Sequence, residues 1–241
     1  NLKIISKAMA SRRRTRRSRA VTENEVIQPV VTKGMVGGKY KPLTDHEIEQ
    51  IHQTTLDVLE NIGMSNPLPQ LKEVALEQGC NFTDQGRLCF PRSLVEDVIA
   101  RAGRDFVMYG RDPKHDIEMT DKKVHLYGGG EAVTILDLGA TTYRPSTIND
   151  VYDIARVVDY LDNIHSYSRL VVATEFTDLL KTDINTAYAS VVGTTKHTAL
   201  TFGNGKHVKP TIEMLEVIAG GEGKFLKRPF CHGGGCTVVS P

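Results

Sequence analysis

The chain has 241 residues, of which 40% are hydrophobic and 24% are charged, and its formal net charge at pH 7 is +1. This composition is typical of a globular protein that can bury a sizeable core in one or two domains. No apolar run approaches the roughly 20 residues that a membrane-spanning helix needs, which argues against a membrane protein. The four cysteines form no dense disulfide framework, so the predicted compartment is the cytoplasm.

The small net charge hides a basic arm on an acidic body. The first 19 residues contain two lysines and six arginines and no acid, whereas the remainder has 22 bases against 29 acids. Such an arm can bind nucleic acid or an acidic partner. The simpler interpretation is a disordered tail and linker over 1–40, because no aromatic residue interleaves the arginines and no basic face continues on the body. Nucleic acid is therefore an unlikely partner.

An N-terminal α+β module with β-hairpins is predicted over 41–145. Thr44 and Glu47 have the spacing of a capping box at the start of its first helix, and Gly63 supplies a left-handed stop. A hairpin fits 81–90. The other predicted elements are two helices over 71–78 and 91–102 and strand-like runs over 106–109, 123–127 and 132–136.

Strands and helices alternate over 146–241. Strands are predicted over 168–174, over 197–202 and from 229 onwards, with helices over 150–162, 177–192 and 210–219. This alternation predicts right-handed βαβ units and a parallel sheet. A (β/α)₈ barrel needs eight strands, so these are the first units of an incomplete barrel. We expect such a chain, made alone, to expose an unpaired strand edge and to be inactive and poorly soluble.

Several short segments, in their order and separations, carry a resemblance to a known family. They are Lys41-Pro42-Leu43-Thr44, Leu59-Glu60-Asn61-Ile62-Gly63, Tyr109-Gly110-Arg111-Asp112-Pro113, Gly128-Gly129-Gly130, Tyr143-Arg144-Pro145-Ser146-Thr147, Thr194-Thr195-Lys196-His197 and Lys227-Arg228-Pro229-Phe230. From Lys41 to Pro241 the chain resembles the N-terminal part of the trimethylamine methyltransferase family, corrinoid-dependent enzymes that include glycine betaine methyltransferases.

The resemblance implies an α/β fold of the TIM-type (β/α)₈ barrel class and a methyltransferase. The methyl group of a tertiary or quaternary amine, of the trimethylamine or glycine betaine type, would pass to the cobalt of a corrinoid carried by a small partner protein. No directly bound metal and no membrane are implied, and the complete enzyme is expected to be a homo-oligomer. Some family members contain pyrrolysine, whose expected position lies beyond Pro241.

Candidate site residues follow from where barrel chemistry occurs, on the loops that follow the strands. Glu175 follows the first predicted strand and Asn204 and His207 follow the second, while His232 lies in the third. The glycine-rich segment after the 123–127 run adds three further candidates that would face the amine or the corrinoid, Tyr127, Gly129 and Glu131. Aromatic faces can hold a quaternary ammonium, and three glycines allow close backbone approach to a ligand.

Each candidate has a structural alternative. Gly128–Gly130 can be a bulged hairpin turn, Glu175 can cap the helix that begins near Thr177, and His207 can be a surface loop histidine. His232 can be a packed core histidine. The set Cys231, His232 and Cys236 is a weak metal signal, because its spacing is irregular.

A barrel enzyme of different chemistry is the remaining alternative. A lyase or aldolase would use a lysine such as Lys196 or Lys206 as a Schiff-base amine.

Overall fold

A computed structural model describes residues 33–120 and 122–234 of the chain. Its elements combine α-helices with short strands, so the fold is of the mixed α/β kind. None of the helices in residues 33–120 and 122–234 has both the length and the apolar composition that a membrane span requires.

The first part of the described chain is a small helical and hairpin region. Helix α1 begins at a Thr44 capping box in which Glu47 N donates to Thr44 Oγ1 and Thr44 N donates to Glu47. It continues into a π-helical turn that ends at Gly63, whose φ of 64° is left-handed. The elements are β1 (Met35–Val36), α1 (Asp45–Asp57) with the π-helical Val58–Ile62, β2 (Met64–Ser65), α2 (Pro69–Glu77), β3 (Asn81–Phe82), β4 (Arg87–Cys89) and α3 (Arg92–Arg101).

Short antiparallel strands follow. They are β5 (Phe106–Met108), β6 (Ile117–Met119), β7 (Lys123–Val124), β8 (Thr134–Ile135) and β9 (Arg144–Pro145). The β5–β6 and β8–β9 pairs are hairpin-like, whereas β7 pairs with β1. A single turn of 3₁₀-helix over Pro113–His115 connects β5 to β6.

The last part of the chain contains the parallel sheet. Strands β10, β11 and β12 lie side by side in that order and are all parallel. The elements are α4 (Ile148–Tyr160), β10 (Ser166–Ser168), α5 (Leu179–Gly193), β11 (His197–Thr201), the 3₁₀ turn Gly205–His207, α6 (Val208–Ile218), α7 (Lys224–Lys227) and β12 (Cys231–Gly234).

The helices cover one face of this sheet. Tyr167 of β10 packs with Ala155 and Val158 of α4. Leu200 of β11 belongs to a larger core cluster built from α5, β11, α6, α7 and β12 (Ala187, Val191, Leu200, Leu215, Phe225, Phe230 and Cys231). Helices α4 and α5 approach closely because Gly193 lies against α4, where an added Cβ would meet Ala155 Cβ at 2.6 Å.

The alternation predicted from the sequence is present, whereas the described residues do not confirm the TIM-type barrel, which was predicted to be incomplete in this chain. The described residues contain a three-stranded parallel sheet and several small antiparallel sheets, and they form no closed barrel. The first parallel strand begins at Ser166, two residues before the predicted start, and its regular pairing ends at Ser168.

Candidate functional site

Alternate residues of the parallel sheet form two chemically different faces. In the register, Ser166 lies beside His197, Ser168 beside Ala199, and Ala199 beside His232. Side chains of successive strand residues point to opposite faces, so these residues share the face that the helices do not cover. The helix-covered face carries Tyr167, Thr198, Leu200 and Cys231, all buried.

The uncovered face is one wall of a cavity of about 680 Å³, within the usual size range of small-molecule sites. The opposite wall comes from β5, β6 and the segment that begins with β7. Its lining residues are Met108, Ile117, Met119, Lys123, Val124, His125, Tyr127, Ser166, Ser168, His197, Ala199, Leu200, Thr201, His232 and Gly234. None of these lining residues is an Asp or a Glu, and Lys123 Nζ is paired with Glu118 at 2.7 Å.

Two histidines on neighbouring strands are joined in this wall. His197 Nε2 and His232 Nδ1 are 2.9 Å apart, the ring centroids are 5.2 Å apart, and the ring planes differ by 18°. Because the centroids are much farther apart than the two nitrogens while the planes are nearly parallel, the rings meet edge to edge. The contact is therefore an N–H···N hydrogen bond between imidazoles.

The backbone of Tyr109 determines which nitrogen donates. His197 Nδ1 is 2.8 Å from the Tyr109 carbonyl oxygen, which can only accept, so Nδ1 of His197 carries the proton. In the neutral ring, Nε2 of His197 is then an acceptor, and His232 Nδ1 must donate to it. Nε2 of a neutral His232 consequently keeps a lone pair.

Burial keeps both imidazoles neutral near pH 7. It lowers the pKa of His197 to about 4, and the hydrogen bond to Tyr109 opposes that shift without cancelling it. Burial also lowers the pKa of His232 below its ordinary value. The cavity wall therefore presents hydrogen-bonding groups without a positive charge from this pair.

A carboxylate lies just behind the cavity at the carboxyl end of β11. Glu131 accepts from Arg169 Nη2 at 2.7 Å and from Thr201 Oγ1 at 2.9 Å, and Arg169 is almost fully buried. Burial alone would raise the pKa of Glu131, but the hydrogen bonds from Arg169 and Thr201 outweigh it and hold that pKa below its ordinary value. Glu131 is therefore ionised, and its hydrogen bonds to Arg169 and Thr201 hold the glycine-rich segment to the sheet.

The glycine run is not a hairpin turn. Tyr127 forms a parallel bridge with Ser166, and Ala132 forms another with Val171, so the segment follows the course of β10. Gly128 packs against Leu170, whose side-chain carbons an added Cβ would meet at 3.0–3.2 Å. A Cβ added at Gly130 would meet no atom within 4 Å, one at Gly129 would meet Tyr127 Cε2 at 3.9 Å, and Tyr127 is 66% exposed at the cavity.

The Thr194-Thr195-Lys196-His197 segment holds β11 against α4. Asp159 accepts from Thr194 Oγ1 at 2.8 Å and from the backbone N of Thr195 at 2.6 Å. Lys196 is 2% exposed, and its Nζ donates to three carbonyls at the end of α4 and the turn after it, those of Val158, Leu161 and Ile164, at 2.6–2.7 Å. All three ammonium protons of Lys196 are thus engaged in hydrogen bonds, which argues against a Schiff-base role, because such a role needs an accessible amine.

The Tyr109–Pro113 segment is held from the opposite side by Arg228. Arg228 Nη2 is 2.5 Å from Asp116 Oδ1, and its guanidinium carbon lies 4.7 Å from the centre of the Tyr109 ring. Asp116 Oδ1 also accepts from Gly110 N at 2.9 Å. These contacts fix the Tyr109 carbonyl that orients His197.

Five of the seven predicted site residues are not among the residues that line this cavity: Gly129 and Glu131, described above, and Glu175, Asn204 and His207. Glu175 does act as a cap, but of α4 rather than of the next helix: its Oε1 accepts from Ile148 N at 2.8 Å. Asp178 caps α5 instead, which begins at Leu179. Asn204 caps the 3₁₀ turn through Lys206 N at 3.0 Å.

His207 is not a surface loop histidine. Its Nδ1 lies 2.7 Å from Asp183 Oδ2, both side chains are largely buried, and Gly203 N donates to the same carboxylate oxygen. The pair ties the loop after β11 to α5. Lys206, the other proposed Schiff-base residue, is exposed on the same turn.

The metal alternative finds no support in the described residues, which contain no cluster of three or more potential ligands. Cys231 and His232 are adjacent in β12 and therefore point to opposite faces of the sheet. Cys236 lies outside the described residues, as do the arginine-rich arm and Thr237.

Sequence reasoning missed His197, Thr201 and the methionines of β5 and β6 as site residues. No alternation of polar residues marked this face: 197–201 reads His-Thr-Ala-Leu-Thr, and 231–234 contains His232 as its one polar residue apart from the cysteine. No local signal places β5 and β6 opposite that face.

The fold and the cavity define an α/β protein with a cavity of small-molecule size on the uncovered face of a parallel sheet. The family model for trimethylamine methyltransferase (MTTB) matches residues 9–241, so the chain belongs to the trimethylamine methyltransferase family. The resemblance read from its motifs is thereby confirmed.

Individual relatives agree with this assignment. The chain is 32% identical over 187 residues to a protein named trimethylamine methyltransferase MttB from Desulfitobacterium hafniense (strain DSM 10664 / DCB-2), covering 77% of this chain and 38% of that protein. It is 26% identical over 183 residues to MttB of Methanosarcina thermophila, covering 74% of this chain and 38% of the relative. A glycine betaine methyltransferase from Desulfitobacterium hafniense (strain Y51) is 21% identical over 197 residues, which are 81% of this chain and 40% of that protein. The chain thus spans about two fifths of the length of the relatives it matches.

Proposed function

We propose that the complete protein transfers a methyl group from a tertiary or quaternary amine, of the trimethylamine or glycine betaine type, to the cobalt of a corrinoid held by a partner protein. Family membership and the names of the relatives support this proposal. We further propose that the complete enzyme is a homo-oligomer in the cytoplasm, and the free, buried Cys80, Cys89 and Cys231 are consistent with that compartment.

The observation that carries the proposal is the charge of the cavity. Its lining combines thioethers, hydroxyls, an exposed tyrosine, the neutral imidazoles of His197 and His232, the imidazole of His125 and the Lys123 ammonium, which is paired with Glu118; no carboxylate is among the lining residues. A methylated ammonium ion loses its positive charge when the C–N bond breaks and the electron pair stays on nitrogen. A carboxylate in contact with it would stabilise the bound substrate more than the transition state, whereas this lining avoids that penalty.

The corrinoid would be a second substrate rather than a resident group of this chain. It supplies a cobalt centre that is already strongly nucleophilic, so the protein's task is to bind and orient the amine. The exposed residues Tyr127, Gly129 and Gly130 are the groups that would face the partner and its corrinoid.

The direct test is turnover by the complete protein with its reduced corrinoid partner and a panel of methylated amines. We expect trimethylamine, glycine betaine or a close homologue to lose one methyl group, measured as the demethylated amine. Absence of turnover across the whole panel would overturn the proposed reaction.

A variant that fills the cavity links the reaction to this site. Ala199 lies at the centre of the uncovered face, so Ala199→Leu should raise the KM for the amine by about tenfold or more through lost space. The control is Val217→Leu on α6, where the side chain is 77% exposed and the added volume meets solvent. If both variants had the same KM for the amine, the reaction would not take place in this cavity.

A further inference from the structure

One nitrogen on the cavity wall has a lone pair whose position is fixed by the backbone. The Tyr109 carbonyl fixes the tautomer of His197, and His197 in turn fixes that of His232. Nε2 of His232 lies on the ring edge away from this hydrogen bond, and within residues 33–120 and 122–234 no hydrogen bond to it is present. His232 also lines the cavity.

We propose that Nε2 of His232 accepts a hydrogen bond from the N–H of a protonated tertiary amine, so that the cavity selects such ions over quaternary ammonium ions. This inference rests on the proposed function, since it names the class of amine that the same cavity holds. His232 touches the ligand, while His197 and the Tyr109 carbonyl are positioning groups.

The chemistry of the ligands explains the selection. A trimethylammonium ion has a single N–H, and its hydrogen bond to Nε2 would turn the three methyl groups away from the histidine and into the cavity. A quaternary ion has no N–H and leaves Nε2 without a partner. A carboxylate would meet the lone pair and be repelled, so Nε2 does not favour the acid group of a betaine.

The proton on nitrogen is not consumed in this arrangement. When a methyl group leaves trimethylammonium, the electron pair of the broken C–N bond remains on nitrogen, and the product is neutral dimethylamine that keeps its N–H. The hydrogen bond to His232 can therefore persist from bound substrate to product, and its role is orientation.

The test compares two cations that differ by one methyl group. Trimethylammonium and tetramethylammonium chloride are titrated into the complete protein at pH 7.5 by calorimetry. A hydrogen bond from a charged donor predicts a preference for trimethylammonium of about tenfold or more in Kd. His232→Phe should bring the two affinities to within about twofold of each other, whereas His46→Phe, at an exposed position of α1 outside the cavity lining, should keep the wild-type ratio.

A second measurement stays informative if the His232→Phe variant fails to fold. Imidazole ¹⁵N spectra of the wild-type protein should show His197 and His232 protonated at Nδ1 and unprotonated at Nε2. Trimethylammonium should shift the Nε2 resonance of His232, and tetramethylammonium should not. An Nε2-protonated His232, or equal affinity for the two cations, overturns the inference.

The failure of this inference is distinguishable from the failure of the proposed reaction. If methylated amines are turned over but the ratio of Kd values is near one, the selection by His232 is wrong and the reaction stands. If no amine is turned over, the reaction is wrong, and the ratio and the ¹⁵N shifts still decide whether the cavity recognises an N–H cation.

Discussion

The two faces of the parallel sheet are built from alternate residues of the same strands, yet they carry opposite chemistry. The helix-covered face contributes Tyr167, Leu200 and Cys231 to the core, and its groups are unreactive because they are packed. Burial raises the pKa of the Cys231 thiol to about 12, so even this nucleophilic atom remains protonated. The cavity face keeps its polar groups oriented by hydrogen bonds. The comparison indicates that the helix-covered face contributes to stability through packing, whereas the cavity face is the one we propose for recognition.

The two faces should differ most in how much stability a side-chain truncation costs. Tyr167 is 1% exposed and packs against α4, so Tyr167→Ala should lower the free energy of unfolding by about 3–5 kcal/mol. Ser168→Ala, the next residue on the cavity face, should cost no more than about 1 kcal/mol. Urea denaturation of both variants measures the difference. Similar losses at the two positions would show that the faces are not separated in this way.

The pH dependence of stability tests the buried cavity histidine. The pKa of His197 falls from an ordinary value of 6.5 to about 4 in the folded protein. Between those values the unfolded chain binds a proton that the folded chain does not, so stability is complete above pH 6.5 and is lost as the pH falls towards 4. The lost stability is about 3 kcal/mol for a shift of this size.

The matched variant for this prediction is His197→Asn, whose side-chain amide can still donate to the Tyr109 carbonyl but does not titrate. Urea midpoints measured between pH 4 and pH 7 should fall less steeply for the variant than for the wild type. The part of the slope that remains comes from the other groups whose pKa is lowered in the folded chain, among them His115, His165 and His232. Superimposable pH profiles would show that His197 does not carry the effect.

A smaller effect is expected at the turn between α5 and β11, on the helix side. Lys196→Met keeps the apolar stem but removes the three hydrogen bonds to carbonyls at the end of α4 and the turn after it, so it should cost about 2 kcal/mol. Lys206→Met, at an exposed position, should leave stability unchanged. Borohydride trapping with carbonyl compounds should label neither lysine, and a stable adduct at Lys196 would restore the lyase or aldolase alternative.

The parts of the fold that local chemistry determines could be predicted from the sequence. The Thr44 capping box and the left-handed Gly63 lie where the residue pattern places them. The alternation of strands and helices after Thr147 was also predictable, because the spacing of hydrophobic residues differs between strands and helices. Strand β6 was missed, and the strand predicted over 168–174 shares only Ser168 with β10. Three-residue strands carry too little periodicity to be recognised.

The site was harder to predict because its contacts join distant segments. The Tyr109–His197 hydrogen bond links residues 88 positions apart, and no spacing rule anticipates it. The glycine run was interpreted as a ligand loop or a hairpin turn, but its parallel course along β10 depends on Leu170 and on the Glu131–Arg169 pair. His232 was identified from its place in a strand, whereas its direction on the cavity face depends on strand register.

The smallest effect tests how the cavity face is joined to the glycine-rich segment. Thr201→Val preserves the shape of the side chain but removes the hydrogen bond to Glu131, so the pKa of Glu131 should rise towards its ordinary value while Arg169 still limits the rise. The cost in stability should be about 1 kcal/mol, the usual net value of one hydrogen bond. Thr201→Ser keeps the hydroxyl and should leave both quantities unchanged. A carboxyl ¹³C titration of Glu131 measures the pKa, and an unchanged value in Thr201→Val would show that Arg169 alone holds this carboxylate to the sheet.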